Sequence, residues 1–122
     1  MNRDLDDKLT TSFPLLYADR NGCKTKTAMC YGFACGDGWF NLIWSLSKKL
    51  ESIIEKMEYT AESRPRAVQV KEKFGSLRFY MKNQTDDMIS LIKEAEKRSK
   101  HICSRCGSDK DPCATCECKN FI

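Results

Sequence analysis

The residues best equipped for chemistry are cysteines, and they crowd at one end of the chain. Five of the eight fall in the last twenty-two residues, "HICSRCGSDKDPCATCECKNFI". Cys103 and Cys106 form a C-x2-C-G turn, and Cys113 and Cys116 repeat the two-residue spacing. That spacing lets two sulfurs reach one ion, and the glycine removes a Cβ where backbone amides turn toward sulfur. Thiolates at Cys103, Cys106, Cys113 and Cys116 would make a closed tetrahedral site, with zinc as the expected cofactor. A closed site leaves no position for water, so no catalysis is expected there. Cys118 is a further candidate for one of the last two ligand places. Cys23, Cys30 and Cys35 lack knuckle spacing and read as half-buried small apolar residues, in preference to a second site with His101. His101 reads equally as an exposed helix-end residue or as a spare ligand.

A second group of residues could bind rather than react. Residues 64–82 hold Arg64, Arg66, Lys71, Lys73, Arg78 and Lys82 against one acid, Glu72. Their local excess exceeds the +4 of the whole chain. Strand alternation places Arg78, Tyr80 and Lys82 opposite Leu77, Phe79 and Met81, with Gln69 and Lys71 beside them on the neighbouring strand. Basic groups around an aromatic ring can hold a phosphate and stack a base. Lys71, Lys73, Arg78, Tyr80 and Lys82 are therefore the candidate ligand-binding residues. "CGDGWF" sets Gly36 and Gly38 around a helix start, where free amides can bind an anion, though a cap and tight turn explain the pair equally.

These residues need elements to position them. Asp37 reads as the N-cap of a helix whose stripe is Trp39, Ile43, Leu46, Leu50, Ile53 and Met57. Phe40 and Trp44 lie off that stripe. The sequence predicts that "FPLLYADR" covers them; left bare, they would form an apolar contact patch. Pro65 ends the helical region. "AVQVKEKFGSLRFYMK" reads as a β-hairpin turning at "KFGS", with Val68 and Val70 inward. Thr85 should cap a second helix that carries Met88, Leu91, Ile92, Ala95 and Ile102. Trp39, Leu46, Leu50, Phe79 and Leu91 should form the shared core. The expectation is one α+β domain over residues 1–122, an α-β-β-α unit with a zinc-knuckle C-terminus. Residues 1–36 would be irregular with a short helix near "DLDDKL", residues 37–102 the helix-hairpin-helix core, and residues 103–122 the zinc-binding tail.

The sequence predicts neither a secretory leader in "MNRDLDDKLTTS" nor an apolar run of about 20 residues to span a membrane. A reducing compartment follows, in which clustered thiols favour metal over disulfides. One histidine and the lack of paired carboxylates at a useful spacing argue against an enzyme.

"TAMCYGFACGDGWF", "AVQVKEKFGSLRFYM" and "LIKEAEKRSKHICSRCG" together resemble a family of small uncharacterised bacteriophage and prophage proteins. That family carries M-C-x-G-F-x-C-G-D-G-W, V-K-E-K-F-G-x-L-R-F-Y and C-x-x-C-G blocks in this order. The likeness spans most of residues 27–107. It departs beyond the knuckle, where the family's longer insert is absent, so Cys113, Cys116 and Cys118 compete for two ligand places. The resemblance implies genomic origin and no specific activity. It sets the expectation of an accessory protein in the host cytoplasm that acts by binding. The leading reading is counter-defence, by sequestering a nucleotide signal or inhibiting a host defence protein. The alternative is a zinc-containing nucleic-acid-binding protein. Either leaves room for self-association into a homo-oligomer.

Overall fold

The computed structural model describes residues 1–21 and 28–107. It is a mixed α+β fold with three α-helices and a three-stranded sheet. The elements run α1 (Arg3–Ser12), β1 (Phe33–Ala34), α2 (Phe40–Lys56), β2 (Arg66–Lys73), β3 (Ser76–Lys82) and α3 (Asp86–Ser99). The α-β-β-α core expected from the sequence is present, but a helix and a strand precede it. The helix is the one expected near "DLDDKL", and the strand is an addition. α1 is capped by Asn2, whose side chain accepts from the Leu5 amide at 2.9 Å. Short 3-10 turns follow at Ala18–Asn21 and Ala28–Tyr31.

The sheet order is β1-β2-β3, with β1 parallel and β3 antiparallel to β2. Phe33 pairs with Val70 and Ala34 with Lys71. The hairpin closes through Phe74 and Gly75, both at positive φ (54° and 80°), as a two-residue hairpin turn of type I′ requires. Its register sets Lys71 opposite Arg78 and Gln69 opposite Tyr80. A bulge between Ala67 and Gln69 takes up Val68, so the inward partners are Ala67 and Val70 instead of the expected Val68 and Val70.

Val70, Leu77 and Phe79 are buried in one cluster with Leu46, Leu50, Ile54, Met88 and Ile92. The helices therefore collect on one face of the sheet. The stripe of α2 runs through Ile54 rather than Ile53, which is half-buried along with Met57 and Leu91. Trp39, Leu46, Leu50 and Phe79 are buried as expected. Trp44 is covered as predicted: the Phe13 ring meets it edge-on with centroids 4.8 Å apart. The segment that does this is anchored by buried Glu51, whose carboxylate accepts from the Leu15 and Leu16 amides at 3.1 and 2.7 Å.

Both sheet edges are occupied, as a small open sheet needs to avoid pairing with other chains. On β3 the outward amides of Leu77 and Phe79 donate to Ser99 Oγ (2.8 Å) and Glu96 Oε2 (3.1 Å) of α3. On the β2 side β1 pairs, and the Ala67 amide donates to the Leu16 carbonyl at 2.8 Å. Thr85 caps α3 as expected, accepting from the Met88 amide at 3.3 Å.

Candidate binding face and metal-ligating turn

The face of the sheet turned away from the helices carries the candidate ligand residues. The hairpin register brings them into rows: Ala34, Lys71 and Arg78; then Gln69 and Tyr80; then Arg66 and Lys82. Ala34, Tyr80 and Lys82 are exposed, and Gln69, Lys71 and Arg78 are half-buried. The Lys71 ammonium lies 5.8 Å from the Tyr80 ring centroid, within cation–π range. Lys73 projects from the hairpin end, 5.7 Å from the exposed Phe74 ring. The sequence thus brings Lys71, Arg78, Tyr80 and Lys82 together, with Lys73 at the rim.

Charge is sorted between the two sides. Arg66 is neutralised by Asp19, its Nε 2.8 Å from the carboxylate. Glu72, the one acid of the region, pairs with Leu77 in register and so points to the inner side, where Ser104 Oγ donates to it at 3.2 Å. Among the described residues, no carboxylate forms an ion pair with Lys71, Lys73, Arg78 or Lys82. The face is, among the described residues, a basic strip without ion-paired carboxylates, with an aromatic ring in its middle. The cavities that border α2 and α3 belong to the opposite side of the molecule.

The turn that carries Cys103 and Cys106 follows α3. Cys103 is buried and Cys106 exposed. The Gly107 amide donates to the Cys103 carbonyl at 2.9 Å, and Gly107 takes φ +80°, a left-handed position suited to glycine. Cys106 borders a cavity of about 320 Å³ beside Gly38 and Arg98. Cys103 and Cys106 are the first half of the expected zinc knuckle. Cys113, Cys116 and Cys118, the candidates for the other half, lie outside the described residues, as does Cys23. No group of three or more metal-ligating side chains is assembled among the described residues. Cys35 is buried, and burial pushes its thiol up to about 11, which disfavours a reactive thiolate. Cys30 is half-buried and His101 exposed, in keeping with their expected places.

Gly36 and Gly38 serve this turn. A Cβ on Gly36 would lie 2.1 Å from the Ser104 carbonyl oxygen. One on Gly38 would lie 2.3 Å from the Cys103 oxygen and 2.4 Å from the Gly107 nitrogen. The Gly38 amide donates to the Ser104 carbonyl at 2.8 Å, and the Trp39 indole donates to the Ile102 carbonyl at 2.9 Å. The "GDG" segment is therefore a seat for the knuckle turn, and the Gly38 amide is taken up within the fold. Nor does Asp37 cap α2 directly. It opens a 3-10 turn, Asp37–Trp39, and its carboxylate accepts from the amide (2.6 Å) and side chain (3.0 Å) of Asn2. No side chain caps α2. Sequence reasoning missed this use of the glycines, because their contacts lie more than sixty residues away; two glycines around one Asp were the available signal.

Comparison of the chain with protein-family models, with curated proteins and with solved structures returns no match.

Proposed function

We propose that the protein works by binding nucleic acid on the open face of its sheet, with no catalytic step of its own. The observation that carries this is the row pattern of Lys71, Arg78, Tyr80 and Lys82 on a flat face from which the region's acid has been turned away. Sheet faces with aromatic rings and flanking cations are a recurring platform for single strands. An open face suits an extended polyanion better than a free nucleotide, which small-molecule sites enclose in a concavity. The Phe13 ring packs edge-on against Trp44 and leaves it half-buried, which reduces the apolar patch that a host-protein partner would use.

Two further parts of the reading come from the sequence. Zinc, held by Cys103 and Cys106 with two of Cys113, Cys116 and Cys118, would fix the chain after α3 and play no chemical part. The resemblance to phage proteins supplies the setting, an accessory protein in the host cytoplasm whose counter-defence action is exerted through nucleic acid.

The test is fluorescence anisotropy with a labelled single-stranded oligonucleotide over a salt series. Four cations on the face should give a slope of about 3 in log affinity against log salt, since each neutralised phosphate of a single strand contributes about 0.7. Arg78→Ala should weaken binding about tenfold to a hundredfold and lower the slope by about 0.7. Arg78→Lys should restore little if the contact is bidentate. Absence of binding at low salt by folded wild-type protein would sink the reading.

A further inference from the structure

The tip of the hairpin violates local preference. Phe74 occupies the first central position of the type I′ turn at φ +54°, where Asn, Asp or Gly is favoured. A bulky residue there is an outlier, because its Cβ crowds the following carbonyl. The chain has the cheaper solution elsewhere: Asn83 takes the same left-handed region at φ +60°. Burial does not compensate Phe74, which is 91% exposed, more than any other large apolar side chain among the described residues. Its ring contact is the Lys73 ammonium. A strained, bare aromatic in a tight turn has no folding role, and backbone strain of this kind concentrates at functional positions.

Phe74 stands at the end of the same basic face. From the Gln69–Tyr80 row to the tip is five residues along β2, about 16 Å at 3.3 Å per residue. Lys71, Arg78 and Lys73 lie between the two rings. A mononucleotide cannot reach both; a strand of several nucleotides can, with its phosphates on the intervening cations. We infer that Phe74 is a base-stacking residue, the terminal contact of a single-strand site that runs from Tyr80 to the hairpin tip. This rests on the reading of the sheet face as a nucleic-acid surface and names its ligand as a single strand several nucleotides long.

The substitution Phe74→Asn tests it, because structure and function then move in opposite directions. Asn-Gly is the preferred pair for this turn, so the variant should unfold at a temperature about 2–6 °C higher than wild type. It should also lose about 5- to 150-fold in affinity for a single-stranded DNA of about ten nucleotides, the range for removal of one stacked base. The salt slope should not change, since no charge is removed. Phe74→Trp should bind as wild type, and Phe74→Leu should bind as weakly as Phe74→Asn. An oligomer carrying 5-iodouracil should photo-crosslink to residue 74 in the wild type. RNA of the same sequence, run in parallel, shows whether sugar identity matters to the site. If wild type binds the oligomer but Phe74→Asn binds equally well, the stacking role is wrong while the sheet-face reading stands. If Phe74→Leu retains full affinity, the contact is apolar and not stacking, and the inference fails. If wild type does not bind, the sheet-face reading fails first.

Discussion

Replacing Gly38 with Ala should damage the fold more than its size suggests. The new Cβ would stand 2.3 Å from the Cys103 oxygen, 2.4 Å from the Gly107 nitrogen and 2.8 Å from the Cys106 nitrogen. Ordinary contact begins at 3.4 Å, so the knuckle turn must retreat by about 1 Å. All three opposing atoms are backbone, so no side-chain rotation can absorb the clash. A retreat of that size lengthens the Gly38–Ser104 and Trp39–Ile102 hydrogen bonds beyond useful range. Each such bond contributes about 0.5–1.5 kcal/mol, and overpacking strain adds about 1–3 kcal/mol. The expected loss is about 2–6 kcal/mol in urea unfolding followed by tryptophan fluorescence. Trp39 should also report the change directly, because its indole loses a hydrogen-bond partner. Asn41→Ala, an exposed change one turn away, should stay within about 0.5 kcal/mol of wild type. A Gly38→Ala protein as stable as that control would refute the docking of the turn on this glycine.

Glu51→Ala should cost about 2–4 kcal/mol, because the Leu15 and Leu16 amides lose their acceptor; Glu51→Gln, which keeps one acceptor oxygen, should cost about half as much, and equal stability of all three proteins would contradict the anchor. Raising the pH should destabilise the protein through Cys35. Its folded pKa is pushed up to about 11 from 9.0, so its stabilisation is intact below pH 9, falls as the unfolded thiol ionises and is lost by about pH 11. The loss is about 2–3 kcal/mol, on the order of 1.4 kcal/mol per unit, and Cys35→Ala should flatten the alkaline limb relative to wild type. Burial raises Tyr17 in the same direction, so a residual slope at the highest pH is expected in that variant. Elemental analysis should find one zinc per wild-type chain and little in Cys106→Ser; full zinc in the variant would remove Cys106 from the ligand set.

What the sequence disclosed well is what is decided locally. The hairpin follows from the alternation of its two strands and from Gly75, which takes positive φ at the turn, although Phe74 beside it is a poor turn residue. Thr85 followed by two acids is a complete helix start within four residues, and it capped α3 as read. The wrong readings share a cause: a distant partner took the group first. Asp37 has the right chemistry for a cap, but Asn2 claims its carboxylate. β1 is two residues long and exists because β2 offers it a parallel edge, which no local propensity announces. Ile53 and Ile54 are equally apolar neighbours, and only the packed face distinguishes them. The bulge at Val68 likewise depends on the partner strand.

The candidate site divides along the same line, and the division explains how its two halves cooperate. The basic face was legible because every residue in it belongs to one hairpin. The seat of the knuckle turn was not, because it joins residues 36–39 to residues 102–107. Yet the two meet at Glu72. Its carboxylate accepts from Ser104 of the turn, while its neighbours in sequence, Lys71 and Lys73, project on the basic side. Strand alternation turns Glu72 away from the basic face, and the Ser104 hydroxyl holds it there without neutralising its charge. Docking of the knuckle on Gly36 and Gly38 holds Ser104 in place for this, through the Gly38 amide and the Ser104 carbonyl. A metal held by Cys103 and Cys106 would stabilise this arrangement through the backbone of the turn. Under the proposed reading, zinc at the turn and the basic face of the sheet would be linked through Ser104 and Glu72.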